Sequence, residues 1–242
     1  MAAARPTRQG PAAESAPQVF VDDLDHPALA PEDRHHLERS RRLRPGDEVV
    51  CADGRGAWRR CRLGDPVEPV GAISRVPVPS PALTVGFALV KGSRPELIVA
   101  KLTELGVDRI VPVAASRSVV RWSPERQAGH LERLRRVARE AAMQSRRAWL
   151  PEVTASATVG DLVARHGADA VALAEPGGTP PGPDLPIVLV GPEGGWTDDE
   201  LDLVPRRVDL SPHILRVETA AITVGALLGA LRSGLVEPRP GS

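Results

Sequence analysis

The sequence predicts an α/β protein with a mostly parallel sheet, preceded by a small β-barrel. Three observations carry this. From residue 83 onward, short apolar runs alternate with helix-length stretches, as in βαβ units. Between 18 and 76, short strand-like runs are separated by close turns, the pattern of a small barrel. Between the two regions lies Pro77-Val-Pro-Ser-Pro81, a proline-rich linker over 77–82 that marks the boundary.

Taken in order, Gln18 to Val21 reads as a first strand. Pro31 to Arg42 reads as a helix, with Pro31, Glu32 and Asp33 favouring its start. Leu43 to Asp47 is a turn. Glu48 to Ala52 is a strand, Asp53-Gly-Arg-Gly56 a hairpin turn, Ala57 to Leu63 the return strand and Val67 to Val76 another. Past the linker, Leu83 to Val90 is an apolar strand. Ser93-Arg-Pro opens a helix that Gly106 ends. Arg109 to Ala114 is a strand, and a long helix runs from Ser123 to about Ser145. Val153, Thr158 to His166 and Ala170 to Ala174 give strand, helix and strand. Val208 to Leu210 is a short strand, and Glu218 to Arg232 a closing helix rich in Ala, Leu and Gly.

The centre of this arrangement is Ile187-Val-Leu-Val-Gly-Pro-Glu-Gly-Gly-Trp-Thr-Asp-Asp-Glu200. Four apolar residues form a buried strand, glycines break it, and Thr197 with Glu200 forms a capping box that starts a helix. Such a loop lies at the carboxyl end of a strand, where open α/β sheets bind ligands. It lacks the glycine patterns of phosphate loops, and Asp198, Asp199 and Glu200 would repel a phosphate from the helix start. Two readings fit: a loop for a neutral or cationic ligand, or a plain βα turn with Glu193 solvated.

The composition excludes several classes. A chain of 242 residues holds one large or two small domains. Hydrophobic residues make up 42% and aromatics only 2%, so Leu, Val, Ile and Ala must fill the core. Two cysteines, Cys51 and Cys61, are too few for a disulfide framework or an all-cysteine zinc site, and a reducing cytoplasm is expected. No metal site is expected. No apolar run reaches membrane-spanning length. Met1 to Pro17 lacks the apolar stretch of a signal peptide and reads as a disordered tail, and 237–242 as a short tail.

Net charge is zero but uneven. Residues 77–147 hold 13 basic and 6 acidic residues, whereas 148–242 hold 6 basic and 13 acidic. A basic middle suggests a face for a polyanion; the alternative is a solvated helix surface pairing with the acidic third. Arginine is the default cation, so the only two lysines, Lys91 and Lys101, stand out. Lys91 lies just past a strand end, where sites form. Lys101 fits an ordinary surface position. Arg41, Arg42, Arg44, Arg59, Arg60 and Arg62 give the barrel basic patches, which fit either an RNA-binding face or a solvated surface.

Ser211-Pro-His-Ile-Leu-Arg-Val-Glu-Thr-Ala-Ala221, together with Gly191-Pro-Glu-Gly-Gly195, resembles the RsmE family. These are SPOUT-superfamily methyltransferases acting on a uracil N3 of 16S ribosomal RNA. Lys91-Gly with Lys101-Leu-Thr-Glu-Leu-Gly106, then Arg117-Ser-Val-Val120, Glu140-Ala-Ala-x-Gln-Ser145 and Arg44-Pro-Gly-Asp47 agree, so the resemblance spans about residues 18–234. It implies a SPOUT-type trefoil-knotted α/β methyltransferase domain over 83–236 and a PUA-like RNA-binding β-barrel over 18–76. It further implies S-adenosylmethionine as cofactor, 16S rRNA or the small ribosomal subunit as partner, and a homodimer. By motif position the cofactor loops would be Leu173, Ala174 and Glu175; Val190, Gly191, Pro192, Glu193, Gly194 and Gly195; and Leu210, Ser211, Ile214, Leu215, Arg216 and Val217. The sequence departs from the family pattern at Met143, where Glu is common, at Arg146, where a small residue is usual, and at Trp196, where Phe is common.

Methylating uracil N3 requires removal of an imide proton, helped by a base or by stabilising charge on O2 and O4. Arg216 is the candidate for that charge. Glu218 is a candidate base or an orienter of Arg216, or simply a helix-start carboxylate; Glu193 is the second candidate base. Lys91, Arg117, Arg121, Arg133, Arg136, Arg139, Gln144 and Arg147, with Arg41 and Arg42 on the barrel, are the candidates for RNA contact. Three rivals remain: another SPOUT methyltransferase acting on a ribose hydroxyl or a different base, a non-catalytic RNA-binding protein, and a nucleotide- or phosphate-binding α/β enzyme, which the acidic helix start and missing loop pattern disfavour.

Overall fold

The computed structural model describes residues 10–237. These fall into two units. One takes residues 10–79 with 139–150; the other takes 80–138 with 151–237.

In the first unit Gln18–Phe20 form β1, Glu48–Ala52 β2, Ala57–Arg62 β3 and Glu68–Arg75 β4, in the sheet order β1-β2-β3-β4. β1 runs parallel to β2, and the other two pairings are antiparallel. The hairpin turn forms where the sequence places it. The Asp53 carboxylate accepts from the N–H groups of Arg55 and Ala57, an Asx turn that organises the reversal. Alternation along the strands sends Val49, Cys51, Cys61 and Leu63 to one buried face. The helix expected over 31–42 is shorter and irregular. Pro31–His35 form α1, His36–Ser40 continue as a wide π turn, and Arg42 at φ 57° leaves the helical path.

The expectation of disorder up to Pro17 needs correction. Residues 1–9 and 238–242 lie outside the described residues, but Gly10–Ala13 form a 3-10 turn with Pro11 buried. The Glu14 N–H closes that turn on the Pro11 carbonyl, and the Val50 N–H donates to Pro17, so order starts before β1.

In the second unit Thr84–Ala88 form β5, Arg94–Glu104 α2, Arg109–Val113 β6, Pro124–Ser145 α3, Glu152–Val153 β7 and Val159–His166 α4. Val171–Thr179 form β8, Ile187–Val190 β9, Asp198–Leu203 α5, Arg206–Val208 β10 and Val217–Arg232 α6. The residues of α3 from Arg139 onward belong to the first unit. Six parallel strands form one sheet in the order β10-β8-β9-β5-β6-β7.

The continuous apolar run of β9 follows from burial on both faces. Val188 and Val190 enter one core cluster, Ile187 and Leu189 the other. α2 and α6 pack directly together. A Cβ at Gly229 would lie 2.7 Å from the Leu105 carbonyl oxygen, so this approach of α6 to the end of α2 needs a residue without a side chain. No helix among the described residues is long and apolar enough to cross a membrane.

Candidate functional site

The glycine loop after β9 is built by local rules. Thr197 caps α5: its hydroxyl accepts from the Glu200 N–H, and the Glu200 carboxylate accepts from the Thr197 N–H. The other Glu200 oxygen accepts from the Ser116 N–H, tying the loop to the end of β6. Burial opposes ionisation of Glu200, but the bonds from Thr197 and Ser116 outweigh it and hold the carboxyl below its ordinary value.

Three loops at the carboxyl side of the sheet enclose a cleft of about 340 Å³. The β8 end supplies Ala174, Glu175 and Pro176. The glycine loop supplies Val190, Gly191, Pro192, Glu193, Gly195 and Trp196. The chain between β10 and α6 supplies Asp209, Leu210, Ser211, His213, Ile214, Leu215, Arg216 and Val217, and Ala220 closes it from α6.

The loops are fastened to one another. The buried Trp196 indole donates to the Ala174 carbonyl at 3.2 Å. Its ring lies so close to Gly191 that a Cβ there would be 2.9 Å away. Arg117 donates to the Gly194 and Trp196 carbonyls at 3.2 and 2.7 Å. Asp209 accepts from the Gly177 and Ser211 N–H groups, and these bonds hold its carboxyl below the usual carboxylate range.

Two carboxylates meet one cation beside the cleft. Arg94, in the first turn of α2, places Nη1 3.5 Å from Glu193 Oε1 and 3.7 Å from Glu218 Oε2. Glu218 lies in the first turn of α6, mostly buried, and its Oε2 has no hydrogen-bond partner among the described residues. Arg216 occupies the N-cap position of α6 with extended backbone. Its side chain is exposed at the cleft and has no partner among the described residues.

The chemistry of this wall suits a ligand with a flat heterocycle and a cationic centre. Ile214, 87% exposed, joins Leu215, Val190 and Ala220 as apolar surface facing the opening. Loop amides and carbonyls lie beside them, and Glu175, Glu193 and Asp209 give the wall negative charge. An exposed apolar side chain in a concave wall is where a ligand gains contact. S-adenosylmethionine fits this set: an adenine for the apolar wall and a sulfonium for the carboxylates.

Residues 78–229 match the family model for the RNA methyltransferase domain, and residues 29–66 match that for the RNA methyltransferase PUA domain. The ribosomal RNA small subunit methyltransferase E of Mycobacterium tuberculosis is 36% identical over 82% of this chain and 84% of its own length. That of Synechocystis is 36% identical over 81% of this chain and 70% of its own. The chain belongs to the small subunit methyltransferase E family. A crystal structure of the Neisseria gonorrhoeae methyltransferase E bound to S-adenosylmethionine superposes with a TM-score of 0.74, at 25% identity, over 89% of this chain and 98% of the other. A probable rRNA methyltransferase from Porphyromonas gingivalis gives 0.76 at 25% identity, over 91% and 100%. The fold is therefore that of the SPOUT-type methyltransferase E family: a parallel α/β domain with a PUA domain before it.

Within this methyltransferase E chain, the residues singled out by motif sort into three groups. All the cofactor-loop residues meet in the cleft except two. Leu173 is fully buried in the core beneath the β8 end, and Gly194 turns its carbonyl to Arg117. Of the basic residues, Lys91, Arg121 and Arg133 line a second cavity, and Arg136 is exposed on α3. Arg117 is exposed and uses Nη1 to hold two of the glycine-loop carbonyls. Arg139 makes a two-point ion pair with the buried Asp33 and also donates to the Phe20 carbonyl. Arg41 donates to Gln144 Oε1, the Arg147 carbonyl accepts from Gln18, and Arg42 is exposed.

The sequence reading missed Arg94, Asp209 and His213. Arg94 had a signal: it stands three residues past Lys91, at the first turn of a helix that follows a strand end. Asp209 and His213 sit beside and inside the Ser211–Ala221 motif, where their apolar neighbours carry the stronger signal.

Proposed function

We propose that this protein is an S-adenosylmethionine-dependent methyltransferase of small-subunit ribosomal RNA, and that it methylates N3 of a uridine in 16S rRNA. The observation that carries the reading is the cleft. Three interlocked loops present exposed Ile214 and Arg216, unpartnered among the described residues, beside two carboxylates bridged by Arg94. S-adenosylmethionine, when bound there, supplies a methyl group on a sulfonium that leaves as a neutral thioether.

In this mechanism the loop backbone, Ile214 and Leu215 hold the donor, and Arg216 faces the incoming base. Deprotonation at N3 places negative charge on the uracil O2 and O4, and the Arg216 guanidinium stabilises it. Glu218 is the proton acceptor in this reading, because its buried Oε2 lacks a hydrogen-bond partner among the described residues. Glu193, 57% exposed at its side chain, is the alternative acceptor. Arg94 fixes both carboxylates and acts as a positioning residue. Alignment of N3 with the methyl carbon supplies the remaining acceleration, and the target base must be unpaired or flipped to arrive.

The same reading includes a homodimer, the trefoil knot and a cytoplasmic location. Exposed Val119 and Ile214 are apolar surface of the kind a second subunit covers, and light scattering gives the mass that decides it. The domain limits belong to it as well: a barrel over 18–76, a linker over 77–82 and a methyltransferase domain over 83–236.

Calorimetric titration with S-adenosylmethionine tests the donor site, with saturation at one per subunit expected. Mapping methyl-uridine in small-subunit RNA from a deletion strain tests the reaction. Arg216→Ala should lower turnover by about 100-fold or more, the loss of one stabilising donor, while donor affinity holds. Wild-type turnover in that variant removes Arg216 from the chemistry. Loss of a ribose 2′-O-methyl instead of a methyl-uridine would move the enzyme to another SPOUT class.

A further inference from the structure

We infer that the second cavity is a nucleotide-binding subsite, holding one unpaired nucleotide of the RNA strand beside the base that is methylated. The inference rests on the proposed RNA methyltransferase activity and assigns a place to the substrate strand.

The cavity measures about 370 Å³ and shares no lining residue with the donor cleft. Its wall combines a ring pair with cations. The Trp122 and His130 rings stack at 4.8 Å between centroids, tilted by 15°. Trp122 also packs against the main core cluster, which fixes the pair in place. Around it stand Lys91, Arg121, Arg126 and Arg133. Arg133 is neutralised by Glu96 at 2.8 Å, and Arg121 donates to the Ser116 carbonyl. The charged ends of Lys91 and Arg126 have no partner among the described residues, so positive charge exceeds what the wall neutralises.

Rings and uncommitted cations together select a ligand. A free phosphate would use the cations and ignore the rings. A sugar would use a ring and ignore the cations. An unpaired nucleotide uses both, its base stacked on an aromatic face and its phosphate paired with Lys or Arg. The position ties this subsite to the reaction. Pro95 and Glu96 wall the cavity, while their neighbour Arg94 reaches Glu193 and Glu218 beside the donor cleft. The two sites are therefore adjacent across the first turn of α2.

Fluorescence anisotropy of a labelled single-stranded uridine hexamer on the full-length protein tests this. Arg126→Glu should weaken binding about tenfold. His130→Ala and Trp122→Leu should each weaken it about fivefold or more, the effect of losing a stacked base. Calorimetric affinity for S-adenosylmethionine and the melting temperature should hold in Arg126→Glu and His130→Ala, which decide the matter if Trp122→Leu does not fold. Wild-type hexamer affinity in these two variants, or no hexamer binding by the wild type, overturns the subsite. Equal loss of donor and hexamer affinity also overturns it, as a general disturbance. Competition by uridine 5′-monophosphate as strong as by the hexamer makes a free nucleotide the ligand and removes the strand. A wild type that binds the hexamer but methylates no ribosomal RNA leaves the subsite standing and defeats the proposed reaction.

Discussion

Trp196 shows how one side chain sets the local geometry of the donor cleft. Its ring fills the space that Gly191 leaves open, and its indole N–H satisfies the Ala174 carbonyl at the end of β8. Phe keeps an aromatic ring but has no donor. Trp196→Phe should therefore cost about 1 kcal/mol, the net worth of a typical hydrogen bond. Urea denaturation measures it, and an unchanged midpoint would mean that water replaces the bond. At this scale the sequence was legible where residue type alone carries meaning. Gly191, Glu193 and Arg216 stand out by position. Arg94 did not, because its significance comes from Glu193 and Glu218, which lie 99 and 124 positions further along the chain.

Helices and strands were legible wherever a local signal sufficed. Thr197 with Glu200 announced the start of α5, and the alternation in β2 and β3 gave strands with the correct hairpin. The sheet order β10-β8-β9-β5-β6-β7 was not legible, because which strands pair is decided by packing over long separations. The same holds for the close seating of α6 on α2. Two glycines make opposite predictions here. Gly229→Ala places a Cβ 2.7 Å from a backbone oxygen, so the gain in helix propensity is outweighed and the protein should lose about 1 kcal/mol. Gly129 lies in α3 with nothing within 4 Å of an added Cβ, so Gly129→Ala should gain up to about 1 kcal/mol. Paired melting curves check both signs, and a stabilised Gly229→Ala would mean that the helix pair yields easily.

For the whole chain, composition was informative about charge and silent about its use. Net charge is zero, yet the basic residues of 77–147 outnumber the acidic by 13 to 6. The structure divides that basic stretch. Arg117, Arg133 and Arg139 are committed to internal partners, whereas Lys91, Arg126 and Arg136 have none among the described residues, and Arg121 makes only one contact with a carbonyl. No pattern in the sequence distinguishes the two sets, since Asp33 and Arg139 are 106 positions apart. If these four cations each meet one phosphate, the log of affinity for single-stranded RNA should fall against the log of salt with a slope of about −3. Titrations across a salt series measure it, and a flat line would remove the electrostatic face.

The fastening of the cleft loops to one another bears on the order of events in a catalytic cycle. Ala174 is held by Trp196, Gly194 by Arg117, and Gly177 by Asp209. Backbone groups tied to one another in this way have less freedom to lose when a small molecule enters, which lowers the ordering cost of binding it. On the proposed function, such an enzyme would take up its donor first and meet the ribosomal RNA already loaded.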